Sequence, residues 1–276
     1  MKNDISLHNL DELMVSAQEA CGLARKVLLD YFGDLTRVSE KAKAGLVTEA
    51  DIQSEQIITD LLREKHPDIK IIGEEESYKN QNQSFETKGE NGACWIIDPL
   101  DGTTNFVHEF PIYCISIGLF INGETHLGII DVPSLDRTYS AISKKGAFKD
   151  GKKIQVSQRK KLSDSLLATG FYHHEEAVLD EQLKIFSKFL GKARGVRRAG
   201  AAAFDLCMIA EGVFDAFWEK NLSPWDTCAG ELIVREAGGK VSDYEGNKYT
   251  PFLNSIIATN QFLYDPILEN IKSSLN

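Results

Sequence analysis

Positive charge is what this sequence is short of. Across 276 residues, 31 lysines and arginines face 41 aspartates and glutamates, a formal net charge of −10. That balance argues against a protein held to DNA or anionic lipid by a broad basic surface, because the attraction would have the wrong sign. Nucleic acid is therefore not expected as the principal ligand. Cysteine is scarce as well: Cys21, Cys94, Cys114, Cys207 and Cys228 are odd in number and scattered, with no C-x-x-C pair. Neither a disulfide framework nor a zinc ribbon is indicated, and isolated thiols suit a reducing cytoplasm, the expected location. No apolar run is long enough for a membrane span; the best, Tyr113 to Ile121, is interrupted by Ser116. The opening MKNDISLHNLDELMV carries early acids and no unbroken apolar stretch, so it is not read as a signal peptide. Repeats, low-complexity tracts and Pro/Gly-rich linkers are missing. So are G-x-x-x-x-G-K-[ST], G-x-G-x-x-G after a strand, and G-x-S-x-G, which leaves no motif for a P-loop, a dinucleotide site or a hydrolase elbow.

What is present reads as helices flanking strands. Leu10, Leu13, Met14, Ala17, Ala20, Cys21, Ala24, Val27 and Leu28 recur at helical spacing, with Gly33 as the stop. Thr48 followed by Asp51 is a variant capping pattern for a second helix. Its apolar face is predicted as Ile52, Ile57, Ile58, Leu61 and Leu62, with Pro67 ending it. Strands are predicted at Ile69 to Ile72, Cys94 to Ile97, Ile112 to Ile121 and His126 to Val132, the last two joined at Asn122-Gly123. Arg137 to Ile142 and Gly146 to Phe148 continue the pattern. Beyond them come a strand at Leu166 to Thr169, a helix over about Glu175 to Leu190, and a small-residue helix from Ala201. A strand at Phe214 to Glu219, a helix opening at Asp226 and a terminal helix at Pro266 to Ser273 complete the chain. The polar stretch Lys79 to Asn91 reads as a surface loop. Without strict βαβ alternation, the order indicates a layered α+β fold.

The acids matter by position rather than number. Glu74 and Glu75 follow one apolar strand, and Asp98 and Asp101 follow another in an Asp-Pro-Leu-Asp-Gly turn. Asp51 and Asp226 stand at helix starts. Each has an ordinary explanation as a turn or cap residue. Together, with no matching His or Cys cluster, they form an oxygen-only donor set that favours Mg²⁺ or Mn²⁺ over zinc. The spacing of Asp98 and Asp101 lets one carboxylate bridge two ions while Leu100 offers its carbonyl. Gly102, Thr103 and Thr104 supply N–H groups and hydroxyls for phosphate oxygens. That combination points to metal-assisted phosphoryl transfer. His173-His174 reads as a loop feature, and Arg194, Arg197 and Arg198 as a small basic patch, more solvated than functional.

Trp95-Ile-Ile-Asp-Pro-Leu-Asp-Gly-Thr-Thr-Asn-Phe106 resembles the first signature of the inositol monophosphatase family, and the run from Trp225 to Gly239 resembles its second. Val47 to Asp51, Ile72 to Glu75, Phe110-Pro111 and Gly195 to Ala202 are similar to its connecting segments, in the same order. The resemblance implies one α-β-α-β-α layered sandwich over residues 1–276, with an N-terminal half of about 1–150 and a C-terminal half of about 151–276. It also implies Mg²⁺ dependence with two to three ions, inhibition by Li⁺, and a homodimer that hydrolyses a small phosphate ester. A first ion would rest on Glu74, Asp98 and the Leu100 carbonyl, a second on Asp98, Asp101 and Asp226, and a third on Glu74 and water. Thr103, paired to Asp51, would deprotonate the attacking water. Gly102 and Thr103 would hold the phosphate, and Asp101, Gly200, Ala201, Ala202, Glu219 and Asp226 would face the alcohol. The family's upstream lysine is matched by either Lys41 or Lys43. The substrate implied is myo-inositol 1-phosphate; histidinol phosphate, fructose 1,6-bisphosphate and nucleotide 3′-phosphates are the alternatives within the superfamily. A non-catalytic partner role in transcription or RNA processing is the alternative outside catalysis.

Overall fold

The computed structural model describes residues 10–41, 45–79, 92–172 and 175–275, without the side chains of residues 40, 41 and 45. The side chain of Lys41, the whole of Lys43, most of the predicted loop (80–91) and His173-His174 thus lie outside the described residues.

Helix α1 (Leu10–Tyr31) buries Leu13, Met14, Ala17, Ala20, Cys21, Ala24 and Leu28 along one stripe and is followed by Gly33 at φ 83°. A short hairpin, β1 (Val38–Lys41) with β2 (Gly45–Thr48), leads into α2 (Glu49–Lys65). The expected capping box is there: Thr48 N–H donates to Asp51 Oδ2 at 2.8 Å, and Thr48 Oγ1 accepts from Ala50 N–H at 3.1 Å. The predicted apolar face of α2 is only partly right. Ile58 and Leu62 are buried, Ile57 and Leu61 half-buried, and Ile52 is exposed. The buried stripe runs instead through Asp51, Ser54 and Glu55, because the first turns of α2 face a polar site rather than the core.

The first sheet has seven strands: β3 (Lys70–Gly73), β4 (Ala93–Asp101), β5 (Cys114–Ile121), β6 (Glu124–Val132), β7 (Arg137–Ile142), β8 (Gly146–Lys149) and β9 (Lys152–Lys153), side by side in that order. Only β3 and β4 run parallel. Asn122 and Gly123 both take positive φ, 49° and 88°, as a tight hairpin turn demands. Between β3 and β4 the chain forms α3 (Glu74–Lys79), and after β4 the single turn α4 (Thr103–Val107).

The second sheet comprises β10 (Leu166–Thr169), β11 (Gly195–Arg197), β12 (Ala216–Lys220), β13 (Lys240–Ser242) and β14 (Ser255–Thr259), in the order β11-β10-β12-β14-β13. It is mixed: β10 is parallel to both β11 and β12, whereas β14 is antiparallel to its neighbours. The remaining helices are α5 (Glu176–Leu190), α6 (Ala202–Ala210), α7 (Pro224–Glu236) and α8 (Tyr264–Leu275).

Five layers result. Leu13, Leu28, Ile58 and Leu62 of α1 and α2 pack on Trp95, Ile97, Ile117 and Leu119 of the first sheet. The opposite face of that sheet meets α6 and α7, through Ile130, Leu206, Leu232 and Ile233, and these helices also carry the second sheet's Phe217, Ile256 and Ala258. Beyond it, Ile185, Phe189, Ile267 and Ile271 of α5 and α8 close the last layer over Leu167, Trp218 and Ile257. The α-β-α-β-α arrangement expected from the sequence is the one observed. Backbones meet closely at its centre: a Cβ on Gly128 of β6 would sit 2.7 Å from the Ala229 carbonyl oxygen of α7.

Candidate active site

Three local devices gather the expected residues at one edge of the layers. The first is the start of α2. Asp51 is fully buried, its Oδ2 engaged by Thr48 N–H, and its Oδ1 accepts a hydrogen bond from Thr103 Oγ1 at 3.0 Å. Thr103 opens α4, and its hydroxyl also lies 3.1 Å from the Leu100 carbonyl oxygen. A hydroxyl has one proton, so it serves one acceptor at a time and keeps a lone pair for an incoming donor. Gly102 precedes it at φ 93°, and an added Cβ would meet the Ile112 carbonyl at 3.0 Å, so only glycine makes this corner.

The second device is the irregular end of β4. Its register with β5 shifts between Asp98 and Asp101, which turns both carboxyls out of the regular ladder. Asp98 Oδ1 accepts from the Leu100 N–H at 3.0 Å. Asp101 Oδ2 accepts from Ala203 N–H at 2.7 Å, so the first turn of α6 is tied to β4. Asn105 adds a second tie, donating to the Ile112 and Ala199 carbonyls at 2.7 and 2.8 Å.

The third device is α3. Glu55 of α2 accepts from the N–H groups of Glu75 and Glu76, both at 2.8 Å, and so fixes the helix whose first residue, Glu74, is buried. Asp226 sits in the first turn of α7, where its Oδ2 accepts from Ser223 N–H at 2.7 Å.

The acids feel one another. Burial pushes the Asp98 carboxyl well above the usual carboxylate range, and Glu74, Asp101 and Asp226 each add repulsion. Burial likewise pushes Asp101 up to about 7, against the hydrogen bond from Ala203. Among the described residues no group of three or more His, Cys, Asp and Glu side chains is placed to hold a metal ion as they stand. Four carboxylates in mutual electrostatic range nevertheless make an oxygen-only donor set, the chemistry suited to a hard divalent cation.

Beside them lies a cavity of about 120 Å³, bordered by Asp101, Gly200, Ala201, Ala202, Glu219 and Asp226, every residue expected to face an alcohol. Asp101 and Asp226 therefore belong to both groups, whereas Asp51, Glu74, Asp98 and Thr103 stand outside the cavity wall. Burial, with Asp226 and Asp101 adding to it, pushes Glu219 up to about 8. Two charged wall residues were not among those expected at the site. Arg198, grouped with a mainly solvated basic patch, borders the cavity, while Arg194 pairs with Asp164 on the surface. Asp205 carried no motif signal: it lies in the first turn of α6 inside an otherwise apolar run, which was the one available hint. The five cysteines are all buried and free, as expected of isolated thiols.

An α+β five-layer sandwich with an acid-lined edge and an adjoining polar cavity defines a class of protein, and comparison with known proteins narrows it. The chain belongs to the inositol monophosphatase family, whose profile matches residues 9–275. It is 38% identical over 259 residues to an inositol-1-monophosphatase of Synechocystis, covering 94% of this chain and 88% of that protein. To the Nus factor SuhB of Pseudomonas aeruginosa it is 39% identical over 245 residues, 88% of each chain. The solved inositol monophosphatase of Anabaena superposes with a TM-score of 0.82 at 34% identity, covering 96% of this chain and 97% of the other. No helix among the described residues is long and apolar enough to cross a membrane.

Proposed function

We propose that this protein is a Mg²⁺-dependent phosphomonoesterase acting on myo-inositol 1-phosphate. The observation that carries the reading is the Thr103–Asp51 hydrogen bond at 3.0 Å, set beside an acid, Asp98, whose carboxyl is pushed up by burial and then by three other acids. Glu74, Asp98, the Leu100 carbonyl, Asp101 and Asp226 would hold two to three ions. Bound there, Mg²⁺ (or Mn²⁺ in its place) lowers the pKa of water and neutralises phosphate charge. The chain's own part is to place and deprotonate that water. Asp51 keeps Oδ1 aimed at Thr103 because Oδ2 is held by Thr48. Thr103 Oγ1 accepts a proton from the attacking water as its own proton passes to Asp51 Oδ1. Gly102 and Thr103 hold the phosphate with amides left open at a helix start. The attack is direct: Cys114, the thiol nearest Asp101, is buried and its pKa is pushed up, so it is no nucleophile.

The cavity wall supports the substrate choice. A second phosphate, as in fructose 1,6-bisphosphate or a nucleotide bisphosphate, would meet Asp205 and Glu219 with only Arg198 to offset them. On this reading the protein is a cytoplasmic homodimer inhibited by Li⁺. Phosphate release across myo-inositol 1-phosphate, histidinol phosphate, fructose 1,6-bisphosphate and adenosine 3′,5′-bisphosphate, with and without Mg²⁺, tests it. The inositol ester should be cleaved best, and only with the cation. A large preference for another ester overturns the substrate, and undiminished turnover in EDTA overturns the metal. Relatives named Nus factor SuhB favour a second reading, a partner role in transcription or RNA processing. Such a role would survive Asp98→Asn.

A further inference from the structure

The cavity holds one group that the phosphatase reading leaves idle. Asp205 is 1% exposed, and its Oδ1 is buried without any hydrogen-bond partner. Its side chain borders the cavity shared with Glu219 and Arg198. A carboxyl shut away from water and left unsatisfied is costly to retain, and the helix around it gives no structural return: Phe204, Leu206 and Cys207 beside it are core residues. Apolar residues fill the rest of that helix, so its packing does not call for a carboxyl at this position.

The surroundings say what would satisfy it. Arg198 lies near enough to act electrostatically on both Asp205 and Glu219. The wall therefore alternates groups that accept hydrogen bonds with one that only donates. An ammonium group donates and cannot accept, and a phosphate accepts and cannot donate when fully ionised. A hydroxyl does both. Several hydroxyls on one small ring or chain would answer the two carboxyls and the guanidinium together.

Resting on the phosphatase reading, we propose that Asp205 is a specificity-determining residue that binds a hydroxyl of a polyhydroxylated leaving alcohol, next to Glu219. Its contribution is to substrate recognition, not to the water-activating pair Thr103 and Asp51, neither of which lines this cavity. Because Asp205 makes no hydrogen bond through Oδ1 within the protein, replacing it should leave the fold intact or firmer.

The test uses the full chain with Mg²⁺, wild type against Asp205→Asn and Asp205→Ser, on three esters. These are myo-inositol 1-phosphate, 4-nitrophenyl phosphate, which has no hydroxyl, and phosphoethanolamine, which offers an ammonium. KM for the inositol ester should rise about 10-fold or more, as expected when a lost hydrogen bond leaves a buried polar partner unsatisfied. The kcat should stay within a few-fold, and KM for 4-nitrophenyl phosphate within about 2-fold, because that ester offers Asp205 no hydroxyl to lose. Melting temperature in EDTA should be unchanged or higher in both variants. Equal effects on the inositol and 4-nitrophenyl esters, a larger loss on phosphoethanolamine, or a marked fall in melting temperature would each overturn the assignment. A wild type that cleaves none of the esters defeats the phosphatase reading instead. The subsite is then judged by calorimetric titration of myo-inositol 1-phosphate, where equal binding by wild type and Asp205→Asn overturns it.

Discussion

Replacing Asp98 by asparagine removes one charge and almost no volume, so its effect isolates electrostatics. Several kcal/mol of lost charge stabilisation should lower phosphate release by about 100- to 1,000-fold. The fold should persist, because Glu74, Asp101 and Asp226 then repel one neighbour fewer. Near-normal turnover would remove Asp98 from the site. Asp101 lends itself to a pH experiment. Its carboxyl stands at about 7 when folded against an ordinary 3.8, so the native state binds more protons than the unfolded chain between those values. Stability contributed by protonated Asp101 is thus fully present below about pH 4 and lost as pH rises through about 7. In EDTA, the stability of wild type minus that of Asp101→Asn should fall across this window; a flat or rising difference would contradict the assignment. At this scale the sequence was most legible where chemistry forces residue type. Asp51, Glu74, Asp98, Asp101, Thr103 and Asp226 stood at strand ends and helix starts, and those are the places where the structure gathers them. Asp205 was illegible because a lone acid in a helix carries no spacing, and only the fold shows that it is buried.

Helix α3 shows how an element can be positioned by a residue distant in sequence. It has six residues, too few to be stable alone, and its first amides are tied to Glu55 of α2. In Glu55→Gln one of the two oxygens becomes an amide nitrogen facing an N–H donor. That should cost about 1–3 kcal/mol in denaturant unfolding. It should also raise the Mg²⁺ concentration giving half-maximal activity, since Glu74 begins the loosened helix; an unchanged value would assign Glu55 a purely structural role. Elements with strong periodicity or punctuation were read within a few residues: α1, the β5–β6 hairpin, α5 and α8. The run Glu74 to Glu76 carried no helix signal, because three like charges after an apolar strand show no apolar periodicity. The strands β11, β13 and β14 escaped because each is short, and Ser255 to Thr259 becomes a strand only by pairing with β12 and β13.

At the scale of the molecule, the acids of one edge come from separate layers, so any cation they share cross-links those layers. Mg²⁺ at about 100 times its dissociation constant should stabilise the fold by about 2.7 kcal/mol, provided the unfolded chain does not bind it. For a chain of this size that is a rise in melting temperature of about 5 °C or more, reversed by EDTA and absent in Asp98→Asn. Indifference to both reagents would argue against a cation site. The layered architecture was legible from the order of helices and strands; the mixed direction of the second sheet was not, because strand direction is decided by long-range pairing. One contact deep in those layers has a reach beyond packing. The missing methyl group at Gly128 sets how near α7 can come to the first sheet, and α7 carries Asp226 while that sheet carries Asp98 and Asp101. The breadth of the acidic edge is therefore gauged from inside the protein, by a hydrogen atom on a residue that bears no functional group. Gly128→Ala would be a mutation of the site without touching it.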